Sequence, residues 1–473
     1  MEYEKILKEV LAYIKPKPEE RKKLESIAKK ALEIANEEAK KVRGKAILAG
    51  SITRDTWLPD KMEFDIFVLL PKSLPEEKLE DFGLEIGKEV IEKMKGTYKI
   101  EYAQHPYVSG EVRGIRIDIV PCYEVESTDK IKSAVDRTPF HVKYVEKNLI
   151  KPMSDEVRLL KQFLKANGIY GADAKTQGFS GYLCELLIIY YKKFIELLKS
   201  CVKWRPGEII DLENYYKVSD YPKLRKKFRD EPLIVIDPVD KNRNVAAALS
   251  PQNFYLFKKL AKEFLSNPSG KFFFPIEVKP IEESELILHQ IKRRTEIIIV
   301  KFKPPKVVPD ILWPQLRRAA DRLEKILREN EFVVLRKDCY TDEKENAIIL
   351  FEMEVSKLPL VQKRVGPKIF DIDDSERFLK KYKEEALGGP FIEENRWCVE
   401  VKRRFLTARE KLFDSLNKDV KILKAKGIPN YVAEEISKGF EIINENEKIM
   451  EIVRKDREFG VFLRKYFEKE SLI

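Results

Sequence analysis

Residues 50–67 read Gly50-Ser51-Ile52-Thr53-Arg54-Asp55-Thr56-Trp57-Leu58-Pro59-Asp60-Lys61-Met62-Glu63-Phe64-Asp65-Ile66-Phe67. Apolar runs at 45–49 and 64–70 bracket this stretch and predict two strands. Side chains alternate along a strand, so Glu63 and Asp65 share one face while Phe64 and Ile66 take the other. Two carboxylates on one strand face form a clamp for a hard cation. Gly50-Ser51 ends the first strand, where a glycine permits a tight backbone approach. Residues 52–58 are expected to turn into a helix with its first N–H groups facing forward. Ser51 then offers a hydroxyl and an N–H, and Arg54, one turn on, can pair with a phosphate oxygen.

Working outward, Gly114-Ile115-Arg116-Ile117-Asp118-Ile119-Val120-Pro121 sets three isoleucines on one strand face and a lone Asp118 on the other. An acid so placed is costly unless it is paired or holds a metal. Three acids on adjacent strands suit two Mg²⁺ ions about 4 Å apart, the arrangement for in-line phosphoryl or nucleotidyl transfer. A chance reading stands beside this one. In a chain that is 36% charged, Glu-x-Asp pairs are common and usually solvated.

The surrounding pattern predicts a helix at 18–42, the strand at 45–49, the short helix, the strand at 64–70, a helix at 76–95, and strands at 98–105 and 111–121. This is a β-α-β-α-β-β order for a mixed sheet with helices to one side. After Pro139 the pattern is helical, with helices at 155–167, 180–201 (opened by a Ser180 cap) and 251–265, and an irregular charged insertion at 202–232. From 295 the order is a strand at 296–302, a helix at 312–330, strands at 332–336 and 346–355, a helix at 375–386 and a strand at 396–401, which suggests a ferredoxin-like β-α-β-β-α-β unit. Helices at 407–425 and 430–455 follow. The chain reads as α+β and multidomain, with a catalytic head at 1–145, a helical central domain at 146–265 that completes the nucleotide pocket, and a C-terminal body and tail at 266–473.

Composition narrows the class. The 473 residues are 43% hydrophobic and carry a formal charge of +11, which excludes a disordered chain. Residues 1–150 have no net charge, so the whole excess lies after residue 150. A basic region joined to a neutral one suits a polyanionic partner such as nucleic acid, and equally a lysine-covered thermostable surface. No apolar run approaches the ~20 residues of a membrane span. Met1-Glu2-Tyr3-Glu4-Lys5 does not resemble a signal peptide, so a cytoplasmic protein without membrane association is expected. The five cysteines lack C-x₂-C spacing and there are three histidines, so any metal must be held by carboxylates.

Several longer motifs carry a family resemblance. They are Asp118-Ile-Val-Pro-Cys-Tyr123, Ser133-Ala-Val-Asp-Arg-Thr-Pro-Phe-His141, Arg158-Leu-Leu-Lys161 through Tyr170-Gly171, Gly178-Phe-Ser-Gly-Tyr-Leu-Cys-Glu185, and Asp237-Pro-Val-Asp240 with Arg243-Asn-Val-Ala-Ala247. Together with the Gly50-Ser51 and Glu63-x-Asp65 signature, they resemble class I, archaeal-type CCA-adding enzymes, which are tRNA nucleotidyltransferases of the polymerase-β-like superfamily. The resemblance implies a polymerase-β-like head and sequential addition of C, C and A to the tRNA 3′ end from CTP and ATP, without a nucleic-acid template. It implies that Glu63, Asp65 and Asp118 hold two Mg²⁺ ions and that Asp118 helps activate the 3′-hydroxyl. Ser51, Arg54, Lys161 and Tyr170 match positions on the triphosphate, beside Gly50. Thr138 and His141 match positions near the sugar and phosphates, His105 lies near the same pocket, and Arg243 matches the arginine that reads the base. The acceptor stem and elbow of tRNA are expected on the region after 150, and the family admits a homodimer.

Plainer local readings stay open. Lys161 could be a solvated helix lysine, Tyr170 a core tyrosine, and His105 structural, while Arg243 could pair with Asp240. Gln104 departs from the acid expected in relatives. Among neighbouring activities, a poly(A) polymerase or an oligoadenylate-type synthase shares the acids but needs no CTP. The Gly-Gly-x-Val-Arg-Asp pattern of the bacterial-type enzymes is absent. An inactive RNA-binding scaffold is disfavoured by the presence of all three acids.

Overall fold

The structure is a computed structural model that describes residues 2–102, 104–274 and 277–468. It divides into two compact units, residues 1–276 and 277–473.

The first unit opens with α1 (Glu2–Ile14) and α2 (Pro18–Lys41). Pro18 fits the first turn of α2, and Glu19 and Glu20 suit its positive end. Leu24, Ile27, Ala28, Ala31 and Ala35 form the buried stripe of this helix. The chain continues through β1 (Lys45–Ala49), β2 (Glu63–Pro71), α3 (Glu76–Lys93), β3 (Thr97–Tyr102), β4 (Pro106–Val112) and β5 (Ile115–Glu124). These strands make one sheet in the order β1-β2-β5-β4-β3, with β2 and β5 parallel and the other pairs antiparallel.

α2 and α3 cover one face of the sheet, burying Phe64, Ile66, Val68, Ile115, Ile117 and Ile119. On the opposite face β2 changes character along its length. Glu63 and Asp65 come first, and then Phe67 and Leu69 pack with Ala49, Cys122 and Val142 of α4 (Thr138–Asn148). The acids therefore lie where α4 does not cover the strand.

Two local expectations are corrected. The strand expected at 111–121 is a hairpin of β4 and β5, because Arg113 and Gly114 both take positive φ, 52° and 76°, as a two-residue primed turn requires. No helix forms at 52–58. The chain instead makes hydrogen-bonded turns, with Thr56 N–H donating to the Ser51 carbonyl at 3.0 Å. Asp55 sits at φ 52° with its carboxylate taken by Arg21 of α2 and by Arg158. The two arginines hold the loop in a form that a helix would break.

The rest of this unit is largely helical, with α5 (Lys151–Ala166), α6 (Gly181–Tyr191), α7 (Phe194–Cys201) and later α9 (Pro251–Ser266) around a core that includes Phe163, Phe179, Phe194, Phe257 and Phe264. Ser180 caps α6 as expected, accepting from Leu183 N–H at 3.0 Å. The single helix expected at 180–201 breaks at Lys192, whose φ is 69°. The region read as an irregular insertion carries β6 (Glu208–Asp211) and α8 (Tyr221–Lys227). With β7 (Leu233–Asp237) and β8 (Asp240–Asn244), β6 forms a three-stranded sheet. All five residues of β7 are buried, so a short apolar run outweighs the charged residues around it.

The second unit comprises α10 (Glu283–Arg293), β9 (Glu296–Phe302), α11 (Pro309–Arg328), β10 (Val333–Thr341), β11 (Ala347–Val355), β12 (Val361–Lys368), α12 (Ile372–Tyr382), β13 (Ala386–Glu393), β14 (Arg396–Lys402), α13 (Ala408–Leu416), α14 (Val420–Ala425), α15 (Asn430–Lys438), β15 (Phe440–Ile443), α16 (Asn446–Lys455) and α17 (Arg457–Phe467). The ferredoxin-like unit is present with a different last strand. Its antiparallel sheet runs β10-β11-β9-β15. The strand expected to complete it, 396–401, is β14, which lies in a separate sheet, β12-β14-β13, under α12. β14 follows β13 across a two-residue hairpin turn at Glu394-Asn395, and this local pairing takes it before the longer-range sheet does.

Candidate active site

The β2/β5 register brings the predicted carboxylates together. Asp65 and Asp118 are direct partners across the parallel pair, and Ala49, the last residue of β1, is the partner of Asp65 on the other side. Gly50 follows Ala49 at φ 84°, and a Cβ added there would lie 2.6 Å from Asp65 Oδ2. Glycine is therefore required twice, for its conformation and for the approach of the carboxylate.

Three carboxylates in one place repel, and each is engaged differently. Lys61 Nζ lies 2.7 Å from Glu63 Oε1. Asp118 Oδ1 accepts from Ser109 Oγ at 2.6 Å and from Arg116 Nε at 3.0 Å. Burial, followed by the charges of Asp118 and Glu63, pushes the Asp65 carboxyl up to about 7, against the weaker pull of Arg54 and Lys61. An all-oxygen set whose central member resists carrying its charge alone fits a hard divalent cation.

Beneath the Gly50-Ser51 turn lies a buried ionic cluster that sequence reading did not assemble. Arg54 meets Glu185 of α6 through both Nε, 3.1 Å from Oε1, and Nη2, 3.0 Å from Oε2. Thr56 Oγ1 donates to Glu185 Oε1 at 2.8 Å. Lys161 of α5 donates to the Thr56 carbonyl and hydroxyl, both at 3.1 Å, and stands 3.9 Å from Glu185 Oε1. Burial lowers the Lys161 ammonium below the usual lysine range, with Glu185 opposing. A Cβ on Gly181, at the start of α6, would sit 3.2 Å from Tyr170 Oη and 3.8 Å from Lys161 Nζ. Tyr170 and Lys161 thus converge on the positive end of a helix. Burial raises the Tyr170 phenol, so it acts there as a neutral hydroxyl.

A second cluster joins His141, Tyr182 and Arg243 around Asp237. His141 Nε2 is 2.9 Å from Asp237 Oδ2, Arg243 Nη1 donates to the same oxygen at 2.7 Å, and Tyr182 Oη donates to Oδ1 at 3.3 Å. The His141 and Tyr182 rings stack with centroids 4.2 Å apart. Burial works to raise Asp237, but His141, the Val239 N–H and Arg243 outweigh it and hold the carboxyl below its ordinary range. The local alternative for Arg243, a pair with Asp240, is not formed, because Arg137 takes Asp240 at 3.1 Å. Thr138 is the first residue of α4, one turn before His141.

His105 is placed elsewhere. It is buried with Nδ1 3.2 Å from Glu80 and 3.5 Å from Glu76 on α3, and Gln104 Oε1 accepts from Ala134 N–H at 2.6 Å. Among the described residues Glu76, Glu80 and His105 are the one group of three potential ligands with ligand atoms all within 4.8 Å of one another, and Glu63, Asp65 and Asp118 do not close to that spacing in this structure. A cavity of about 890 Å³ in the second unit is lined by both signs of charge, including Lys301, Arg409, Glu410 and Glu441, and by none of the strand carboxylates.

Glu185, Thr56, Tyr182 and Asp237 are the participants that residue-type reading did not single out. Only the Gly178–Glu185 motif and Asp237-Pro238 hinted at them. Their partners lie up to 131 positions away.

Family models match along the chain in order. "Nucleotidyltransferase domain" covers residues 28–141, "tRNA nucleotidyltransferase, second domain" covers 155–274, and "CCA-adding enzyme, C-terminal domain" covers 293–445. A CCA-adding enzyme of Methanocaldococcus jannaschii is 43% identical over 91% of this chain and 93% of its own length. Those of Archaeoglobus fulgidus and Methanosarcina barkeri are 40% identical over 87% of this chain and 89% of theirs, and 37% identical over 97% of both. Among solved structures, a Cid1 poly(U) polymerase aligns over 58% of this chain and 98% of that one, at 14% identity and TM-score 0.45. With the strand carboxylates beside a glycine turn and identity of this extent along nearly the whole chain, the protein belongs to the CCA-adding enzyme family.

Proposed function

We propose that the protein adds C, C and A in turn to the 3′ end of tRNA, taking CTP and ATP and releasing pyrophosphate at each step without a nucleic-acid template. The observation that carries this reading is the Asp65–Asp118 pairing on parallel strands against the Gly50 turn, in a chain of this family. Residues 1–145, 146–265 and 266–473 serve as catalytic head, completing wall of the nucleotide pocket and tRNA-binding body and tail.

Glu63, Asp65 and Asp118 would hold two Mg²⁺ ions, which when bound lower the pKa of the 3′-hydroxyl and neutralise charge on the transferred and leaving phosphates. The remaining tasks belong to the chain's own groups. Ser109 and Arg116 occupy Asp118 Oδ1 and leave Oδ2 to face the acceptor hydroxyl. Ser51, Lys161 and Tyr170 line the path of the triphosphate, with Arg54 behind the turn. Thr138 and His141 border the sugar, and Arg243, seated on Asp237, turns its remaining N–H groups to the base. An arginine fork accepts the acceptor pattern of C or A and leaves a mismatch unpaired with G or U, which is the stronger form of rejection. Phosphate contacts to tRNA would come from the basic region after residue 150.

The test is a tRNA lacking its terminal CCA, incubated with CTP, ATP and Mg²⁺. The expected product grows by three nucleotides and stops. Open-ended A-tailing, or full extension without CTP, overturns the reading.

A further inference from the structure

The turn after Gly50 and the helices α5 and α6 meet around a buried carboxylate. Glu185 is 1% exposed, and its side chain faces two cations that are almost as deeply placed, Arg54 at 9% and Lys161 at 4% side-chain exposure. Burying charges in this way is expensive unless geometry and hydrogen bonding are nearly complete. Here the pairing is one-sided: Glu185 Oε1 accepts hydrogen bonds, while the buried Oε2 has an ion-pair contact and no hydrogen-bond donor among the described residues. Arg54 Nε donates to Glu185 Oε1 while its Nη2 stands 3.0 Å from Oε2 as an ion-pair contact, its Nη1 is on Thr53 Oγ1 at 3.2 Å, and Thr56 Oγ1 bridges Glu185 to Lys161. Two basic side chains face one carboxylate beside Tyr170 at the start of α6, so Lys161, which stands 3.9 Å from Glu185 and donates only to neutral Thr56 oxygens, has no carboxylate of its own. A polyphosphate anion is the chemistry that would complete the balance.

The cluster has a mechanical side as well. Arg54 and Thr56 belong to the turn that ends next to Asp65, whereas Lys161 and Glu185 belong to α5 and α6. Ser154 Oγ also donates to the Arg54 carbonyl at 2.9 Å, and Arg158 Nε donates to the Trp57 carbonyl at 3.2 Å. The turn carries no helix of its own, so its position relative to the carboxylates is set from outside, by α5 and α6 together with Arg21 of α2.

We propose that Glu185 is a positioning residue for nucleotidyl transfer, holding Arg54 and Lys161 so that the turn and the α5–α6 wall form one preset cradle for the triphosphate. It acts through those two cations and touches neither nucleotide nor tRNA. This rests on the nucleotidyl-transfer reading above and adds a role that the reading does not need.

The experiment uses the full-length protein with Glu185→Gln, which keeps the shape and one acceptor but loses the charge, Glu185→Asp, and Thr56→Val, which removes the bridging hydroxyl and leaves every charge in place. Binding of inorganic tripolyphosphate is measured by calorimetry, and KM for CTP, kcat and tRNA affinity are measured alongside. Glu185→Gln is expected to weaken tripolyphosphate binding and to raise KM for CTP by about 10- to 100-fold, the scale of a hydrogen bond to a charged group. tRNA affinity should stay within about twofold, Thr56→Val should shift the same two quantities by a smaller factor, and Glu185→Asp should recover part of the loss. In an Arg54→Met background, Glu185→Gln should add little. Unchanged tripolyphosphate binding and KM in folded Glu185→Gln or Thr56→Val overturn the proposal, as does an equal loss of tRNA affinity, which would mark a general structural role. Because tripolyphosphate binding needs neither tRNA nor a particular base, this result is independent of whether the wild-type protein adds C, C and A.

Discussion

At the scale of single residues, Asp65 concentrates the electrostatics of the site. Its folded-state pKa of about 7 lies above the ordinary value of about 3.9, so without a divalent cation the folded state binds a proton that the unfolded chain has released. Stability is then full below about pH 4, falls as pH rises, and the loss is complete above about pH 7. Asp65→Asn should therefore raise the Tm of cation-free protein at pH 8 and leave it unchanged within a degree or two at pH 4. It should also abolish transfer while tRNA affinity stays within a few-fold. Equal Tm differences at both pH values would remove like-charge crowding as the cause. Gly50 is the companion case. Gly50→Ala places a methyl 2.6 Å from Asp65 Oδ2 at φ 84°, so a fall in kcat of about 100-fold or more is expected, with only about 1–2 kcal/mol lost in urea unfolding from the left-handed backbone.

At the scale of elements, the site depends on a loop that is tied down at both sides. Arg158 is fully buried and shares Asp55 with Arg21 of α2, while Asp155 supplies its other partner at 2.6 Å. Asp55 is half-exposed and Arg158 keeps Asp155 and the Trp57 carbonyl when it is removed, so Asp55→Ala should cost about 1 kcal/mol in chemical denaturation and raise KM for CTP, because the turn loses its anchor to α2 and α5. Asp60→Ala, next to an exposed contact with Lys165, should cost well under 1 kcal/mol. The strands of the head were legible because apolar alternation is local, and Phe64, Ile66, Ile117 and Ile119 face the core as their spacing predicts. The loop at 52–58 was not, since its helical pattern is overridden by two arginines far away in sequence. β14 likewise reads as a strand, but its choice of sheet follows from which partner it meets first.

At the scale of the whole molecule, the charge of +11 divides unevenly. Residues 1–150 are neutral, residues 151–276 hold 22 basic and 14 acidic side chains, and residues 277–473 hold 41 and 38. Most of the excess, +8 of the +11, thus belongs to the unit that carries the carboxylates, and +3 to the second unit. tRNA affinity should fall steeply between about 50 and 200 mM salt. Neutralising four lysines or arginines exposed within 151–276 should flatten the dependence of log Kd on log salt by about three to four. A slope that stays unchanged would move the phosphate contacts out of that region. Among the described residues no helix is long and apolar enough to cross a membrane, and all five cysteines are buried without disulfides.

By itself the sequence singled out the residues proposed to carry the chemistry. Acid identity, strand alternation and glycine are local properties, so Glu63, Asp65, Asp118 and Gly50 were readable from spacing, and the longer motifs pointed to the family. Only the tertiary structure decided what those residues touch. The register that faces Asp65 with Asp118, the single carboxylate shared by Arg54 and Lys161, and the seat of Arg243 on Asp237 rather than Asp240 are each set by chain segments brought together on folding. Pairing energies between buried charges depend on distance and desolvation, and neither is defined until the core has closed around them.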